Sequence, residues 1–211
     1  MKGRTVILAN GDYPASPYSL QILQEAERIV CCDGAAQTLL AHGLEPTVII
    51  GDLDSLAKDV KKRLDGKIIQ MAEQDTNDLN KAFRHCLSRN WLDITILGAT
   101  GKREDHTLGN ISLLADFARQ APEIRMVTDY GCFLPLLKSG TIPCKPKQQV
   151  SIFALDADTP IVSHGLKYSL NGLAPRRWWE ATLNEALGDS FTLTFPEGKS
   201  LLLFLASTRS I

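Results

Sequence analysis

Apolar runs of strand length alternate with helix-like periods over about the first 138 residues of the chain. The first apolar run, 5–9, is followed by Ser16 and Pro17, a pair typical of a helix start, and then by apolar residues at helical spacing. The pattern predicts further strands at 29–32, 47–50, 67–71, 93–97 and 124–128, with helices at 35–42, 76–89 and 106–119. This alternation predicts an α/β fold, Rossmann-like, with a mostly parallel sheet and flanking helices.

After about residue 138 the helical period fades and short alternating runs replace it. The pattern predicts strands at 149–155, 160–168, 180–184, 191–195 and 201–206. Turn-forming pairs such as Asn171-Gly172 separate these runs, as expected of antiparallel strands. We therefore predict two domains, an α/β domain over 1–138 and a small all-β sandwich over 139–211.

Composition excludes several classes of protein. The 211 residues are 44% hydrophobic and 22% charged with a formal net charge of -1, which is typical of a soluble globular chain rather than a disordered chain or a basic nucleic-acid binder. No apolar run approaches the roughly 18 residues of a membrane span, and no long apolar segment follows the basic start. Five cysteines without zinc-type spacing predict free thiols, Cys31 and Cys32 as buried small hydrophobes, and a cytoplasmic location.

Acidic residues follow the ends of the predicted strands, where ligands of parallel sheets bind. Asp52 and Asp54 are two residues apart, so in an extended segment both side chains would point the same way. Asp75 and Asp78 are three apart at a predicted helix start. Four carboxylates at one rim would repel one another, and a bound Mg²⁺, which prefers oxygen ligands, would compensate their charge.

The second acidic pair has a purely structural alternative. Asp75 or Thr76 would serve as the N-cap of the helix that follows, and Asp78 would be favoured by the helix dipole.

A glycine-containing segment follows the predicted strand 93–97. Gly98 and Gly101 would let the backbone approach a ligand closely at a helix start, where phosphate is attracted, and Lys102 and Arg103 add positive charge. Neither a P-loop nor a dinucleotide-binding glycine pattern occurs in the chain.

Two charged residues of this segment have alternative interpretations. Arg103 would stabilise charge on a transferring phosphoryl group, or it would simply pair with Asp105 at the surface. His106 would act as a base, or it would be a surface residue of the first helical turn.

Four motifs in this order resemble thiamin pyrophosphokinase, and the match covers about residues 5–115. They are Cys32-Asp-Gly-Ala-Ala36, Gly51-Asp-Leu-Asp-Ser55, Gln74-Asp-Thr-Asn-Asp-Leu-Asn-Lys81 and Gly98-x-x-Gly-Lys-Arg-x-Asp-His106. The resemblance implies a nucleotide-binding domain followed by a thiamin-binding and dimerising β-sandwich. It also implies a homodimer with sites at the subunit interface, and Mg²⁺-dependent transfer of pyrophosphate from ATP to thiamin.

The same resemblance implies roles for individual residues. The catalytic and Mg²⁺ site would contain Asp52, Asp54, Asp75 and Asp78, joined in catalysis by Arg103 and Asp105. The nucleotide pocket would contain Asp33, Gly34, Lys81, Gly98, Gly101, Lys102 and His106. Gln74 would lie near thiamin.

The second half carries the expected thiamin contacts. Gly165-Leu-Lys-Tyr168 resembles a family pattern that ends in tryptophan, and Leu183-Asn184 replaces the family's Ser-Asn pair. In a strand, Trp178 and Trp179 would face opposite sides, so one could contact the thiazolium cation of thiamin. The alternative places both indoles in the sandwich core or in the dimer contact.

Other classes of protein share parts of this pattern. Asp-x-Asp after a hydrophobic strand is typical of haloacid-dehalogenase phosphatases and of some nucleotide-sugar transferases, although neither accounts for Arg103-x-Asp105. A non-catalytic nucleotide or thiamin sensor is a third alternative. The reaction products distinguish these classes, since a pyrophosphokinase would give AMP, a phosphatase would release phosphate, and a sensor would form no product.

Overall fold

The computed structural model of the protein describes residues 4–54, 56–73 and 75–208. The chain forms two compact units, Met1–Leu113 with Gln120–Asp129, and Leu114–Arg119 with Tyr130–Ile211. The second unit begins its main segment at Tyr130, before the expected domain boundary at 138/139. The strand at 131–136 therefore belongs to the second unit and not to the first.

The first unit is a parallel sheet with helices between its strands. The strands are β1 (Thr5–Leu8), β2 (Arg28–Cys32), β3 (Val48–Gly51), β4 (Ile68–Gln70), β5 (Ile94–Leu97) and β6 (Arg125–Thr128). The helices are α1 (Pro17–Gln24), α2 (Ala35–Ala41), α3 (Lys58–Arg63), α4 (Asp78–Ser88) and α5 (Glu104–Ser112), with a 3₁₀ turn at Asp65–Lys67. The strand order is β6-β5-β1-β2-β3-β4, and each neighbouring pair is parallel. The predicted α/β class is confirmed.

The apolar runs become strands because both faces of this sheet are covered. Every residue of β1, β3 and β5 is buried, which is the burial pattern of central parallel strands. Cys31 and Cys32 are buried free thiols, as predicted, and Cys86 is also buried and free. Burial raises the pKa of the Cys31 and Cys86 thiols to about 12, so both are held as neutral thiols.

Helix boundaries follow local capping more closely than the apolar period. Helix α1 begins as predicted, with Pro17 in the first turn and the Ser16 hydroxyl accepting from the Ser19 N–H at 3.1 Å. The helix expected over 106–119 is instead two helices, α5 and α6 (Leu114–Ala118), and α6 belongs to the second unit. No helix among the described residues is long and apolar enough to cross a membrane.

The second unit is a β-sandwich, as predicted. Its strands are β7 (Gly131–Leu136), β8 (Gly140–Pro143), β9 (Gln149–Ala154), β10 (Val162–His164), β11 (Asn184–Glu185), β12 (Ser190–Thr194) and β13 (Leu201–Ala206). Antiparallel pairing gives the orders β11-β9-β13-β7 and β10-β12-β8. Apolar side chains of both layers, among them Ile152, Phe191 and Leu203, form one buried core.

The strands of the second unit depart from the predicted ones in three places. Strands β7 and β8 were not predicted, because Pro135 and Pro143 argue against a strand; Pro143 is tolerated on the edge strand β8. The runs expected at 160–168 and 180–184 shorten to β10 and β11. The Arg176–Trp179 segment lies outside the strands.

Candidate active site

A cavity of about 620 Å³ lies at the carboxyl ends of β1, β2, β3 and β5 in the first unit. The strand order reverses between β1 and β5, which is where ligands of doubly wound sheets bind. The lining residues that carry polar or charged side chains are Asn10, Cys32, Asp33, Asp52, Thr76, Asn77, Asp78, Lys81, Lys102, Arg103, Asp105, His106 and Asn110. The sequence-based placement of a ligand site at these strand ends agrees with this cavity.

Asp33, Asp52 and Asp78 line one side of the cavity, which we call the acidic wall. Asp33 is 3% exposed and its N–H donates to the carbonyl of Ile50 at 2.9 Å, which ties the end of β2 to β3. A Cβ on Gly51 would come within 2.9 Å of the Cβ of Asp33, so glycine is needed for this approach. Gly34, next in the chain, is the N-cap residue of α2.

The Asp52-Leu53-Asp54 segment is a turn rather than an extended strand. Leu53 has a φ of 71°, and the Asp54 N–H donates to Oδ1 of Asp52 at 3.1 Å. Asp54 is exposed and does not line the cavity. The left-handed conformation of Leu53 interrupts the extended backbone on which the expectation of two side chains pointing the same way depended. A metal-binding role for Asp54 stays a prediction.

The N-cap of helix α4 lies later in the chain than either expected cap, one residue after Thr76 and two after Asp75. The cap is Asn77, whose Oδ1 accepts from the Asn80 N–H at 3.0 Å, and the alternative of Asp75 or Thr76 as the cap is wrong. Asparagine is among the best N-cap residues, so the nearest good cap before the apolar period determines the start. Asp75 is exposed and lies outside the cavity lining.

Asp78 and Lys81 are joined within the first turn of α4. Lys81 is 2% exposed, and its Nζ donates to Oδ1 of Asp78 at 3.3 Å. Burial raises the pKa of Asp78, as do the charges of Asp52 and Asp33, against the lowering effect of Lys81. The carboxylates of the acidic wall therefore repel one another, and one buried ammonium compensates only part of this charge.

These carboxylates suit a divalent cation that also binds a phosphate. Within the described ranges, no three His, Cys, Asp or Glu side chains are close enough to hold a metal ion by themselves. Mg²⁺ is usually held by one or two carboxylates together with waters and substrate phosphates, so a complete protein cage is not required. The oxygen donors and the unbalanced negative charge of the acidic wall fit that mode of binding.

Lys102, Arg103 and His106 also line the cavity; we call them the basic wall, and all three are exposed. Gly101 has a φ of 80°, and a side chain there would overlap the carboxylate of Asp12. Lys102 has a φ of 56°, and its Nζ donates to the carbonyl of Asn10 at 2.8 Å. The glycine segment therefore forms a tight turn with left-handed residues, and its backbone lies against the end of β1. The predicted close approach of this backbone to a ligand stays a prediction. Gly98, with a φ of 64°, begins this turn.

Arg103 forms a bidentate pair with Asp105. Its Nε and Nη2 donate to the two carboxylate oxygens at 3.1 and 2.6 Å. Hydrogen bonds from Arg103 hold the pKa of Asp105 at about 2, and the His106 N–H also donates to this carboxylate. The pair is exposed, which is the geometry of the surface alternative, although both residues line the cavity.

Two polar residues that were not predicted from the sequence, Asp129 and Asn110, make hydrogen bonds to other segments of the first unit. Asp129, directly after β6, accepts from the N–H groups of Ala15 and Ser16 and from the Ser19 hydroxyl. It thereby fixes the segment between β1 and α1. Its position after an apolar run was the available signal. Asn110 was also overlooked and had no comparable signal, since it lies within a helix.

The predicted thiamin-facing residues of the second unit differ in exposure. Tyr168, Trp178 and Trp179 are exposed, whereas Asn184 is 3% exposed. The Asn184 side chain accepts from the Tyr168 N–H at 3.0 Å and donates to its carbonyl at 2.7 Å, so it fixes the Tyr168 backbone. Gln74 lies outside the described residues.

The two tryptophans belong to a loop. Glu180 accepts from the backbone N–H groups of Arg176 and Arg177, which closes a turn instead of a strand. The Trp178 ring meets Phe153 edge-on at 5.8 Å, and Trp179 is 66% exposed. The alternative that placed both indoles in the sandwich core is therefore wrong.

Together these features define a two-domain protein, an α/β domain with a ligand cavity at its switch point followed by a β-sandwich. The catalytic-domain model of thiamin pyrophosphokinase matches residues 20–127, and the substrate-binding-domain model matches residues 131–203. The chain belongs to the thiamin pyrophosphokinase family. The predicted family is thereby confirmed, and the phosphatase alternative gains no support.

Individual members of the family are similar to this chain in sequence and in fold. Thiamine pyrophosphokinase of Bacillus subtilis (strain 168) is 29% identical over 189 residues, covering 83% of this chain and 85% of the relative. Thiamin pyrophosphokinase 1 of Caenorhabditis elegans is 29% identical over 185 residues, covering 80% and 75%. The crystal structure of the Bacillus subtilis thiamine pyrophosphokinase superposes with a TM-score of 0.81 at 25% identity, covering 98% of this chain and 100% of that one.

Proposed function

We propose that this protein transfers the pyrophosphoryl group of ATP to the hydroxyl of thiamin, giving thiamin diphosphate and AMP. The observation that carries the proposal is the pairing of an acidic wall with a basic wall in one cavity of a chain that belongs to this family. A cation bound to the carboxylates and a phosphate chain facing Lys102 and Arg103 would match the two walls in charge.

In the proposed reaction the thiamin hydroxyl oxygen forms a bond to the β-phosphorus of ATP. The bond from that phosphorus to the oxygen bridging the α-phosphorus breaks, AMP leaves with its electron pair, and the hydroxyl loses its proton. The protein's contribution is to position the two reactants and to stabilise the charge that develops on the phosphoryl oxygens.

Asp52 and Asp78 would hold Mg²⁺, and Asp33 would complete the negative field around it. When bound, the metal supplies positive charge that neutralises phosphate oxygens. Lys81 fixes the Asp78 carboxylate from the buried side. Lys102 and Arg103 would bind phosphate oxygens, and Arg103 would exchange its bond to Asp105 for a phosphate.

The second unit would supply the thiamin site in a homodimer, with the active site at the subunit interface. Tyr168, Trp178 and Trp179 support this proposal because they are exposed aromatic rings, and a cation over such a ring gains roughly 0.5–2 kcal/mol. We expect Tyr168→Leu, Trp178→Leu or Trp179→Leu to raise the KM for thiamin several-fold in folded dimers, with the KM for ATP unchanged. Three unchanged thiamin KM values would reject these contacts.

The test of the function is a product assay. Purified protein incubated with ATP, MgCl₂ and thiamin should form AMP and thiamin diphosphate in equal amounts, and none without MgCl₂. Release of phosphate would favour the phosphatase alternative, and the absence of any product would favour a sensor. A cytoplasmic location, where ATP is available and the five free thiols stay reduced, belongs to the same proposal.

A further inference from the structure

Two asparagine side chains connect the acidic wall to the segment that carries the basic wall. Nδ2 of Asn77 donates to Oδ1 of Asn110 at 3.1 Å, and Nδ2 of Asn110 donates to the carbonyl of Ala99 at 2.9 Å. Asn77 directly precedes Asp78, whereas Ala99 lies in the turn that begins at Gly98 and leads to Lys102. Asn77, Ala99 and Asn110 all line the cavity, and we call their two hydrogen bonds the amide bridge.

The groups at its two ends determine the orientation of both amides. The Ala99 carbonyl can only accept, so the nitrogen of Asn110 faces it and the oxygen faces Asn77. The Asn80 N–H can only donate, so the oxygen of Asn77 faces the helix and its nitrogen is available to Asn110. The amide bridge therefore has a single amide orientation in which neither amide nitrogen faces a donor and neither amide oxygen faces an acceptor.

The amide bridge joins the start of α4 to the segment that carries the basic wall, whose charged side chains are exposed. The backbone of that segment is also held by the buried Ala99 and by bonds from the Gly11 and Asp12 N–H groups to the Gly98 and Thr100 carbonyls. Asp78, next to Asn77, pairs with the buried Lys81. The amide bridge therefore links two segments that are each fixed by their own contacts, and it contributes to the distance between the two walls.

We propose that Asn110 is a positioning residue that helps to set the separation of the acidic and basic walls. The inference rests on the proposed function, in which one nucleotide presents its metal-bound oxygens to one wall and its remaining phosphate oxygens to the other. A misplacement of about 1 Å between groups that act together costs about 10²-fold in rate. Loss of the amide bridge should therefore affect nucleotide binding and turnover, while the second unit's contacts with thiamin stay intact.

Two variants remove hydrogen bonds of the amide bridge, one at Asn77 and one at Asn110. Asn77→Ser keeps a good N-cap on α4, but its shorter side chain cannot reach Asn110. Asn110→Ala removes both hydrogen bonds and leaves the cap unchanged. Ser112→Ala is the matched control, since Ser112 is an exposed residue of the same helix whose hydroxyl donates only to the Gly109 carbonyl and which does not line the cavity.

The experiment measures calorimetric Kd values for MgCl₂ with α,β-methylene ATP and for thiamin, together with kcat and Tm. We expect Asn110→Ala to raise the nucleotide Kd about tenfold and to lower kcat about 10- to 100-fold, with the thiamin Kd unchanged. Asn77→Ser should act in the same direction, and the double variant should be no worse than Asn110→Ala, because both changes remove the same link.

The outcomes separate positioning from a structural role. A lower Tm in both variants with wild-type nucleotide Kd and kcat would overturn the proposal, as would additive losses in the double variant or losses in Ser112→Ala. If the wild type binds the nucleotide but makes no thiamin diphosphate, the proposed function fails, and the nucleotide Kd values still decide whether the amide bridge positions the walls.

Discussion

The acidic and basic walls of the cavity differ in how the protein holds them. On the acidic wall Asp33 is 3% exposed, and Lys81, which pairs with Asp78, is 2% exposed, while on the basic wall the side chain of Arg103 is 72% exposed. Buried groups keep one geometry whether or not a ligand is present, whereas exposed long side chains can rearrange around it. The cavity thus combines a preorganised acidic wall with an adaptable basic wall.

The two walls differ because different sequence features build them. The acidic wall follows strands β2 and β3 and the start of α4, elements packed into the core. The basic wall follows a turn with left-handed backbone at Gly98, Gly101 and Lys102, and it begins α5, a helix with no buried residue. A turn fixes the backbone direction but leaves the ends of long side chains free.

The largest expected effect is on turnover, which substitutions of carboxylates that line the cavity should lower far more than substitutions of carboxylates outside it. Asp52→Asn and Asp78→Asn should each lower turnover by about 10²- to 10³-fold at saturating MgCl₂, because each removes charge where the metal and phosphates would lie. Asp54→Asn and Asp75→Asn should cost at least about tenfold less, because neither residue lines the cavity. Steady-state kinetics of the four variants, with exposed Asp59→Asn as the control, would test this order. Four equal losses would contradict it.

The positions of these carboxylates show what a sequence can and cannot predict. Strand ends are predictable because buried apolar runs are, and so Asp33, Asp52 and Asp78 were expected at one rim. The direction of Asp54 was not predictable, because it depends on the left-handed conformation of Leu53, an uncommon state for a branched residue. The start of α4 depended on which of several adjacent polar residues caps the helix, and Asp75, Thr76 and Asn77 are all acceptable N-cap residues by type.

The second unit was less predictable because its strands are short and contain prolines. Pro135 lies within β7, although proline usually argues against a strand. The loop with Trp178 and Trp179 depends on Glu180 accepting two backbone N–H groups, a contact that no periodicity encodes. The amide bridge likewise required three-dimensional proximity of residues 33 positions apart.

Replacing Arg103 tests whether the basic wall binds the phosphates of ATP. Arg103→Lys should lower kcat/KM for ATP by about tenfold, because lysine cannot reproduce the planar fork that binds two phosphate oxygens. The Tm should not change, because the pair with Asp105 is exposed. Arg89→Lys, at the far end of α4, is the control. Unchanged kcat and ATP KM would favour the surface-pair interpretation.

Replacing Lys81 tests how much the acidic wall contributes to the stability of the fold. Lys81→Met keeps most of the buried aliphatic chain but leaves Asp78 beside two other carboxylates without its ammonium partner. We expect the free energy of unfolding to fall by about 1–3 kcal/mol, the range for a hydrogen bond to a charged group. Urea titration would measure this loss, with exposed Lys62→Met as the control. The double variant Asp78→Asn with Lys81→Met should be less destabilised than the sum of the single variants.

The smallest expected effect concerns His85, which lies on α4 two turns after Asp78. Burial lowers the pKa of His85 from its ordinary value of 6.5, and the nearby Arg89 lowers it further; the Trp91 ring packs edge-on against the imidazole at 5.6 Å. The unfolded chain therefore binds a proton at a higher pH than the folded protein does. The free energy of unfolding should fall as the pH drops below about 6.5, by at most about 1.4 kcal/mol per pH unit, and this contribution should stop changing below the folded pKa.

Urea unfolding at several pH values between 7.5 and 5 would show this slope, and His85→Gln should reduce it. His164→Gln changes an exposed histidine of β10 and should leave the slope as in the wild type. If His85→Gln keeps the wild-type slope, the acid sensitivity comes from other groups. A reduced slope would instead show that α4, which carries the preorganised wall, owes part of its stability to a neutral imidazole on a side chain that does not line the cavity.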